Sequence, residues 1–432
     1  MSDRQPGLTE DMLFLAKMAA DVIEASRVAP GQAVGGEGPN STGQTLIRPG
    51  GRDCYPGFWI RDFTMSLACG LVPRDEIEHA VRLTAGGQAS ADWHTKSGSF
   101  VPRGSIADHI TLDGKPIYFP GSFCYEEQGQ PWGYFPSLDD HFYFVEMAWH
   151  LMKDGENVGI LTEEIDGVPL IQRLELAFAV PPVQKDGDEL VWCVEDKRGV
   201  GFGFCDSIVH TGHLLFCSVL KARAARQLAG MMELCGDEPS AARYRALAQT
   251  IAEQLAPTFA DDSGLLRAST GRSAQPDVWG SAFAVYSGLL KDTDREQVCR
   301  ALHRGVLDGS IAWRGNIRHV PTSHDFSKTT AWEKMVNSAF TRNRYQNGAY
   351  WNTPTGWVCY AVAEVDESVA QELSREYVAE LRAGDFRQGE AFGSPFECIH
   401  PEEEYRQNAV YLTSVTCPLA AFNKLGWVPG DR

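Results

Sequence analysis

Eight consecutive residues, Tyr350-Trp351-Asn352-Thr353-Pro354-Thr355-Gly356-Trp357, bring two indoles, a carboxamide, hydroxyls and a turn proline together. An indole face is a platform for a sugar ring: axial C–H groups stack on it while polar side chains reach the hydroxyls at the ring edge. The same stretch also reads as a buried turn opening a core helix, with Thr355 as its N-cap. A second constellation, Tyr55-Pro56-Gly57-Phe58-Trp59-Ile60-Arg61-Asp62-Phe63, runs straight into an apolar segment. Trp59, Arg61 and Asp62 there combine an aromatic face with charge, which suits a polar ligand; the plainer reading is a buried ion pair. Asp139 and Asp140 precede one apolar run, and Asp277 and Trp279 open another. They fit the same pocket, or else the acidic first turns that a helix dipole stabilises.

Helices must carry these groups. Thr9 precedes apolar residues at the helical period from Met12 to Ile23. Further helices are expected over Met65–Gly70, Asp75–Ala85, Phe142–Met152, Pro169–Phe178, Ile208–Leu220 (extending toward Leu234) and Ser240–Leu255. Gly280–Leu290, Arg295–Leu307, Trp357–Val365, Ser368–Leu381 and Ala409–Leu425 complete the set. Apart from a short hairpin around Gly187, strand signal is negligible. Between the helices lie long loops, Ala29–Asp53, Ser90–Trp132, Ile311–Gln346 and Asp385–Tyr405, several of them rich in aromatic and acidic residues.

A loop of this kind repeatedly leads into an apolar helix, and a more amphipathic helix returns. Buried inner helices alternating with half-exposed outer ones are what a closed ring of helical hairpins requires. The expectation is therefore an all-α toroid of about eleven or twelve helices, residues 1–432 forming one domain with its loops gathered at one end. An open solenoid fits less well, because no sequence repeat is present.

Composition excludes several partners. A formal net charge of -18 and the lack of any basic run argue against nucleic acid and against an anionic membrane surface. The chain opens on polar residues without a signal peptide, and no apolar run is long enough to span a bilayer. Its 11 cysteines are scattered singly, the usage of reduced thiols in a cytoplasmic enzyme. His210-Thr211-Gly212-His213 places two imidazoles three apart on an expected helix face, but with no third ligand beside them no metal is assigned. No cofactor is implied, and the sequence does not speak to oligomeric state.

At the level of motifs the chain resembles the six-hairpin glycosidases built on an (α/α)6 barrel, in particular the trehalase and glucosidase I-like branches. Trp351, Pro354, Gly356 and Trp357 fall in register with the trehalase signature Gln-Trp-Asp-x-Pro-x-Gly-Trp; Tyr350 replaces its Gln and Asn352 its Asp. Trp59, Arg61 and Asp62 are similar to the upstream family motif. The resemblance implies a general acid at Asp206, in Gly203-Phe204-Cys205-Asp206, with one residue more before the Asp than the family pattern has. It implies a general base at Glu397, 40 residues beyond Trp357, with Glu390 as the rival position. It also implies inversion at the anomeric carbon.

Such hydrolysis needs one carboxylic acid to protonate the leaving oxygen and one carboxylate to activate water. Asp206, among Phe202, Phe204 and Cys205, is expected to be partly desolvated and so to hold its proton. Glu397, in a polar loop with His400 and Glu402, is expected to stay ionised. Trp59, Arg61, Asp62, Trp351 and Asn352 are expected to hold the sugar, with Asp139, Asp140, Asp277 and Trp279 as further candidates. Long loops capping a pocket suit exo action on a small α-linked glycoside or oligosaccharide. Two other chemistries fit such a barrel: epimerisation or isomerisation by a histidine pair drawn from His94, His109, His210, His319, His324 and His400, and polysaccharide lysis. Non-catalytic sugar binding is the remaining alternative.

Overall fold

Short helices that are apolar all round have to be enclosed, and here they enclose one another. The computed structural model describes residues 6–95, 98–119, 133–152, 155–184, 187–336, 340–402 and 404–429. Among them are twelve α-helices: α1 (Pro6–Ser26), α2 (Ile60–Ser66), α3 (Arg74–Gly86), α4 (Asp140–Met152), α5 (Leu170–Phe178), α6 (Leu215–Leu234), α7 (Glu238–Phe259), α8 (Val278–Tyr286), α9 (Asp292–Leu307), α10 (Thr355–Ala363), α11 (Glu367–Ala383) and α12 (Thr413–Lys424). The even-numbered helices form a closed ring: α2 packs on α4, α4 on α6, α6 on α8, α8 on α10, α10 on α12, and α12 back on α2. The odd-numbered helices lie outside it. The architecture is an (α/α)6 toroid.

Sequence explains the two layers. Every residue of α2 is buried, as is α8 from Val278 to Val285. Outer helix α11 buries Ala370, Leu373, Ser374, Tyr377, Val378 and Leu381, one stripe at the helical period, and leaves its charged face in water. A contiguous apolar core runs from Leu8 to Trp427. The cysteines among the described residues are all free, and no helix there is long and apolar enough to cross a membrane.

Several boundaries differ from the sequence reading. Thr9 lies inside α1, which already includes Pro6. Thr355 is the first residue of α10 rather than its cap, and its hydroxyl donates to the Gly315 carbonyl at 2.7 Å. Helix α6 starts at Leu215, not Ile208. Gly212, at φ 78°, breaks any earlier helix, and Gly212–His213 pairs with Trp192–Cys193 as a short antiparallel ladder. His210 and His213 therefore share no helix face.

The loops hold more strand than the sequence suggests. Ala312–Trp313, Asn316–Ile317, Tyr350–Trp351, Phe396–His400 and Tyr405–Ala409 form a five-stranded antiparallel sheet in that order. Gly57–Trp59, His109–Thr111 and Pro116–Ile117 form a second sheet of three. Pieces of two to five residues are too short for period-two alternation to register in a sequence. Near Gly187 the expected hairpin survives as a bridge between Val183 and Val191. Glu126, Glu127 and Trp132 lie outside the described residues.

Candidate active site

A cavity of about 380 Å³ opens where the inner helices begin. That volume is at the small end of ligand pockets. Trp59, Arg61 and Asp62 enter it from the first turn of α2, because Gly57–Trp59 pairs with His109–Thr111 and delivers the chain into the helix at Ile60. Asp206 enters from the turn after Gly203–Cys205, and Glu397 from the strand Phe396–His400. Two carboxyls separated by 191 positions in the chain (397 minus 206) thus line one cavity.

Arg61 is the hub of the acidic floor. Its Nε donates to Asp139 Oδ2 at 2.6 Å, and its Nη2 reaches Asp108 Oδ1 at 3.1 Å and Asp140 Oδ2 at 3.0 Å. All four residues are buried. Burial pushes the Asp140 carboxyl well above the carboxylate range despite Arg61. Burial works on Asp108 in the same direction, but the hydrogen bond from His109 Nδ1 at 2.7 Å, together with Arg61, holds it below its usual value. Gly203 permits this packing: a Cβ there would stand 1.9 Å from Arg61 Cζ, and its N–H donates to Asp139 Oδ2 at 2.9 Å.

Glu397 is 1% exposed, and burial pushes its carboxyl up to about 8. The register that pairs Phe396 with Ala409 and Cys398 with Gln407 sets Glu397 across from Asn408, whose amide donates to Oε2 at 2.5 Å. The Tyr55 hydroxyl donates to Oε1 at 3.2 Å, and the Tyr345 hydroxyl approaches it at 3.5 Å. The expectation of an exposed, ionised Glu397 beside His400 and Glu402 is not met. The segment is a strand, and Glu397 is buried between Tyr55 and Asn408, while Glu402 is exposed.

Burial also raises Asp206, to about 7, against the Gln346 amide, which donates to Oδ1 at 2.9 Å. Gln346 is itself fixed, its carbonyl accepting from Ser207 N at 2.8 Å and from the Ser207 hydroxyl at 2.5 Å. Asp62 is a third raised carboxyl, at about 6, with burial again the cause; the Tyr411 hydroxyl donates to its Oδ1 at 2.7 Å.

Of the residues singled out in the sequence for sugar contact, Trp59, Arg61 and Asp62 line the cavity and the others do not. Trp351 is 0% exposed, wedged against Phe204, Trp279, His319 and Tyr345. Asn352 donates to Asn316 Oδ1 at 2.6 Å behind the sheet. Asp139 and Asp140 are spent on Arg61 below the cavity floor. Asp277 caps α8, accepting from Gly280 N at 3.0 Å, and with Trp279 it borders a separate void of about 20 Å³. Glu390 is exposed, away from the cavity, where its backbone carbonyl accepts from Arg52. Among the described residues His109 is the one histidine that lines the cavity. Sequence reasoning misses Tyr55, Asp108, Tyr345, Gln346, Asn408 and Tyr411. Tyr55 and Tyr345 are the legible ones, since Tyr55 opens the motif of Trp59 and Tyr345 lies five positions (350 minus 345) before that of Trp351.

A closed ring of six helical hairpins is the (α/α)6 fold, and here a carboxyl-lined cavity lies over the helix N-termini. Solved structures of that kind superimpose along nearly the whole chain. A rhamnosidase from Klebsiella oxytoca with rhamnose bound aligns at 12% identity and a TM-score of 0.57, over 99% of this chain and 64% of that one. This chain therefore spans under two thirds of the rhamnosidase's length. A glycosidase variant in complex with glucose aligns at 14% identity and a TM-score of 0.56, over 98% and 100% of the two chains. The GH63 mannosylglycerate hydrolase from Thermus thermophilus in complex with glucose aligns at 14% and 0.53, over 94% and 99%. At these identities the likeness is one of fold. No family model matches the sequence, and no curated protein matches it.

Proposed function

We propose that this chain is a glycoside hydrolase, acting with inversion and from the chain end on a small α-linked glycoside or oligosaccharide. Asp206 serves as general acid and Glu397 as general base. The observation that carries this reading is the meeting of these two carboxyls in one cavity, each oriented by its own amide donor, Gln346 and Asn408. With Oδ1 engaged by Gln346, Asp206 keeps Oδ2 for the proton that the leaving oxygen takes. Glu397, with Tyr55 and Tyr345 at Oε1, takes a proton from water attacking the opposite face of the sugar. Trp59, half-buried and stacked on His109 at 4.0 Å, offers the sugar an aromatic edge, and Asp62 offers it a hydroxyl acceptor. The free cysteines suit a reducing, cytoplasmic setting.

The rhamnose and glucose bound in structural relatives support starting with α-rhamnosides, α-glucosides and α-mannosides. Products are followed by proton NMR, which reports both the released sugar and its first-formed anomer. The expected result is β-anomer release from an α-substrate, abolished in Asp206→Asn and Glu397→Gln. Undiminished turnover in those variants overturns the assignment. Isomerised sugar without glycoside cleavage overturns the reaction class.

A further inference from the structure

The cavity's charge is lopsided, and its basic groups are already committed. Four acids line it, Asp62, Asp108, Asp206 and Glu397, and Arg61 is the one Lys or Arg side chain among the described lining residues. Arg61 engages Asp108, Asp139 and Asp140, and His109 engages Asp108 through Nδ1.

A carboxylate or phosphate entering this space meets four carboxyls and, among the described lining residues, no cation that is not already engaged, so its charge goes unmatched there. A hydroxyl both donates to a carboxylate and accepts from a protonated carboxyl, so a polyol fits whichever form each acid takes. We propose that the site selects glycosides whose leaving group is uncharged and rejects those whose leaving group carries a carboxylate or phosphate. This rests on the glycosidase reading for the word "leaving", but charge selection is a property of the cavity and is measured without turnover.

The test uses sulfur-linked glycosides, which resist hydrolysis, in matched pairs: a glycosyl glycerol and the corresponding glycosyl glycerate, with glucose, mannose and rhamnose as the sugar. Titration calorimetry on the intact chain is expected to show the glycerol member binding tighter by about tenfold or more, the gap narrowing as salt screens the charge. Gln407, half-buried on the cavity wall, is the place to reverse the preference. Gln407→Lys is expected to raise glycerate affinity relative to glycerol affinity several-fold, closing or reversing the gap. Equal or tighter glycerate binding by the wild-type chain overturns the proposal, as does failure of every member to bind. Glycerol glycosides that bind while their oxygen-linked counterparts stay uncleaved overturn the hydrolase reading and leave charge selection standing.

Discussion

Asn408 faces Glu397 across a two-stranded ladder and donates its amide to Oε2 at 2.5 Å. Burial raises this carboxyl to about 8, and the Asn408 amide is the largest of the contacts working against that rise. Asp206 sits lower, at about 7, also through burial and also opposed by an amide, from Gln346. The order matters, because the proposed reaction needs Asp206 protonated and Glu397 ionised. With Glu397 holding its proton more tightly than Asp206, that arrangement is the less favoured of the two singly protonated forms.

A bell-shaped profile of kcat/KM against pH follows, with limbs near 7 and 8. The acidic limb belongs mainly to Asp206 and the alkaline limb to Glu397. Asn408→Ala removes a donor that favours ionised Glu397, so the alkaline limb moves up and the maximum falls. Gln346→Leu moves the acidic limb up instead. Initial rates between pH 5 and 10 check both; a profile unmoved by either substitution refutes the assignment of the limbs.

Stability should depend on the same carboxyl. Glu397 has an ordinary value of 4.5 when unfolded and about 8 when folded, so the native state binds the proton more tightly. Its contribution is fully present below 4.5 and is lost as pH rises through 8, at about 1.4 kcal/mol per unit of the interval. Glu397→Gln imitates the protonated form and escapes that loss. Thermal unfolding should show the variant matching the wild type near pH 4 and exceeding it by several degrees at pH 8. A wild type as stable as the variant at pH 8 contradicts the buried, raised carboxyl.

Gly203 carries a sharper steric demand. A methyl group there overlaps Arg61 Cζ at 1.9 Å, and Arg61 can move only by leaving Asp108, Asp139 and Asp140. Separating a buried cation from its partners costs about 3–5 kcal/mol. Gly203→Ala should therefore lower the melting temperature and the activity together. Gly7→Ala, where a Cβ meets nothing within 4 Å, serves as the control.

The toroid was legible because helix period and apolar fraction are local signals. Inner helices such as α8 read as unbroken apolar runs and outer ones such as α11 as stripes. Cavity membership was legible only where a motif coincided with a helix start, as at Trp59, Arg61 and Asp62. Tyr411 reaches Asp62 from 349 positions away in the chain, and Asn408 reaches Glu397 only 11 positions away but through a strand register that the sequence does not display. Glu397 reads as part of a polar loop because its strand is short and flanked by charge; its burial is a property of the assembled sheet. Trp351 misleads for a related reason: an aromatic motif looks the same whether its ring lines a pocket or supports its wall.

That last distinction separates two tryptophans experimentally. Trp59 lines the cavity and is half-buried, while Trp351 is fully enclosed behind Phe204 and Tyr345, its indole N–H without a hydrogen-bond partner. Truncating an enclosed indole removes packing worth about 3–5 kcal/mol, whereas truncating a wall residue chiefly removes contact with ligand. Trp351→Leu should lower the melting temperature sharply while the folded fraction keeps its KM. Trp59→Leu should raise KM with a smaller thermal cost. If Trp351→Leu instead raises KM at unchanged stability, its indole reaches the sugar and the wall of the cavity lies elsewhere. Both residues stand beside a carboxyl-bearing element, Asp62 in one case and Asp206 through Phe204 in the other, and they part in their exposure to the cavity.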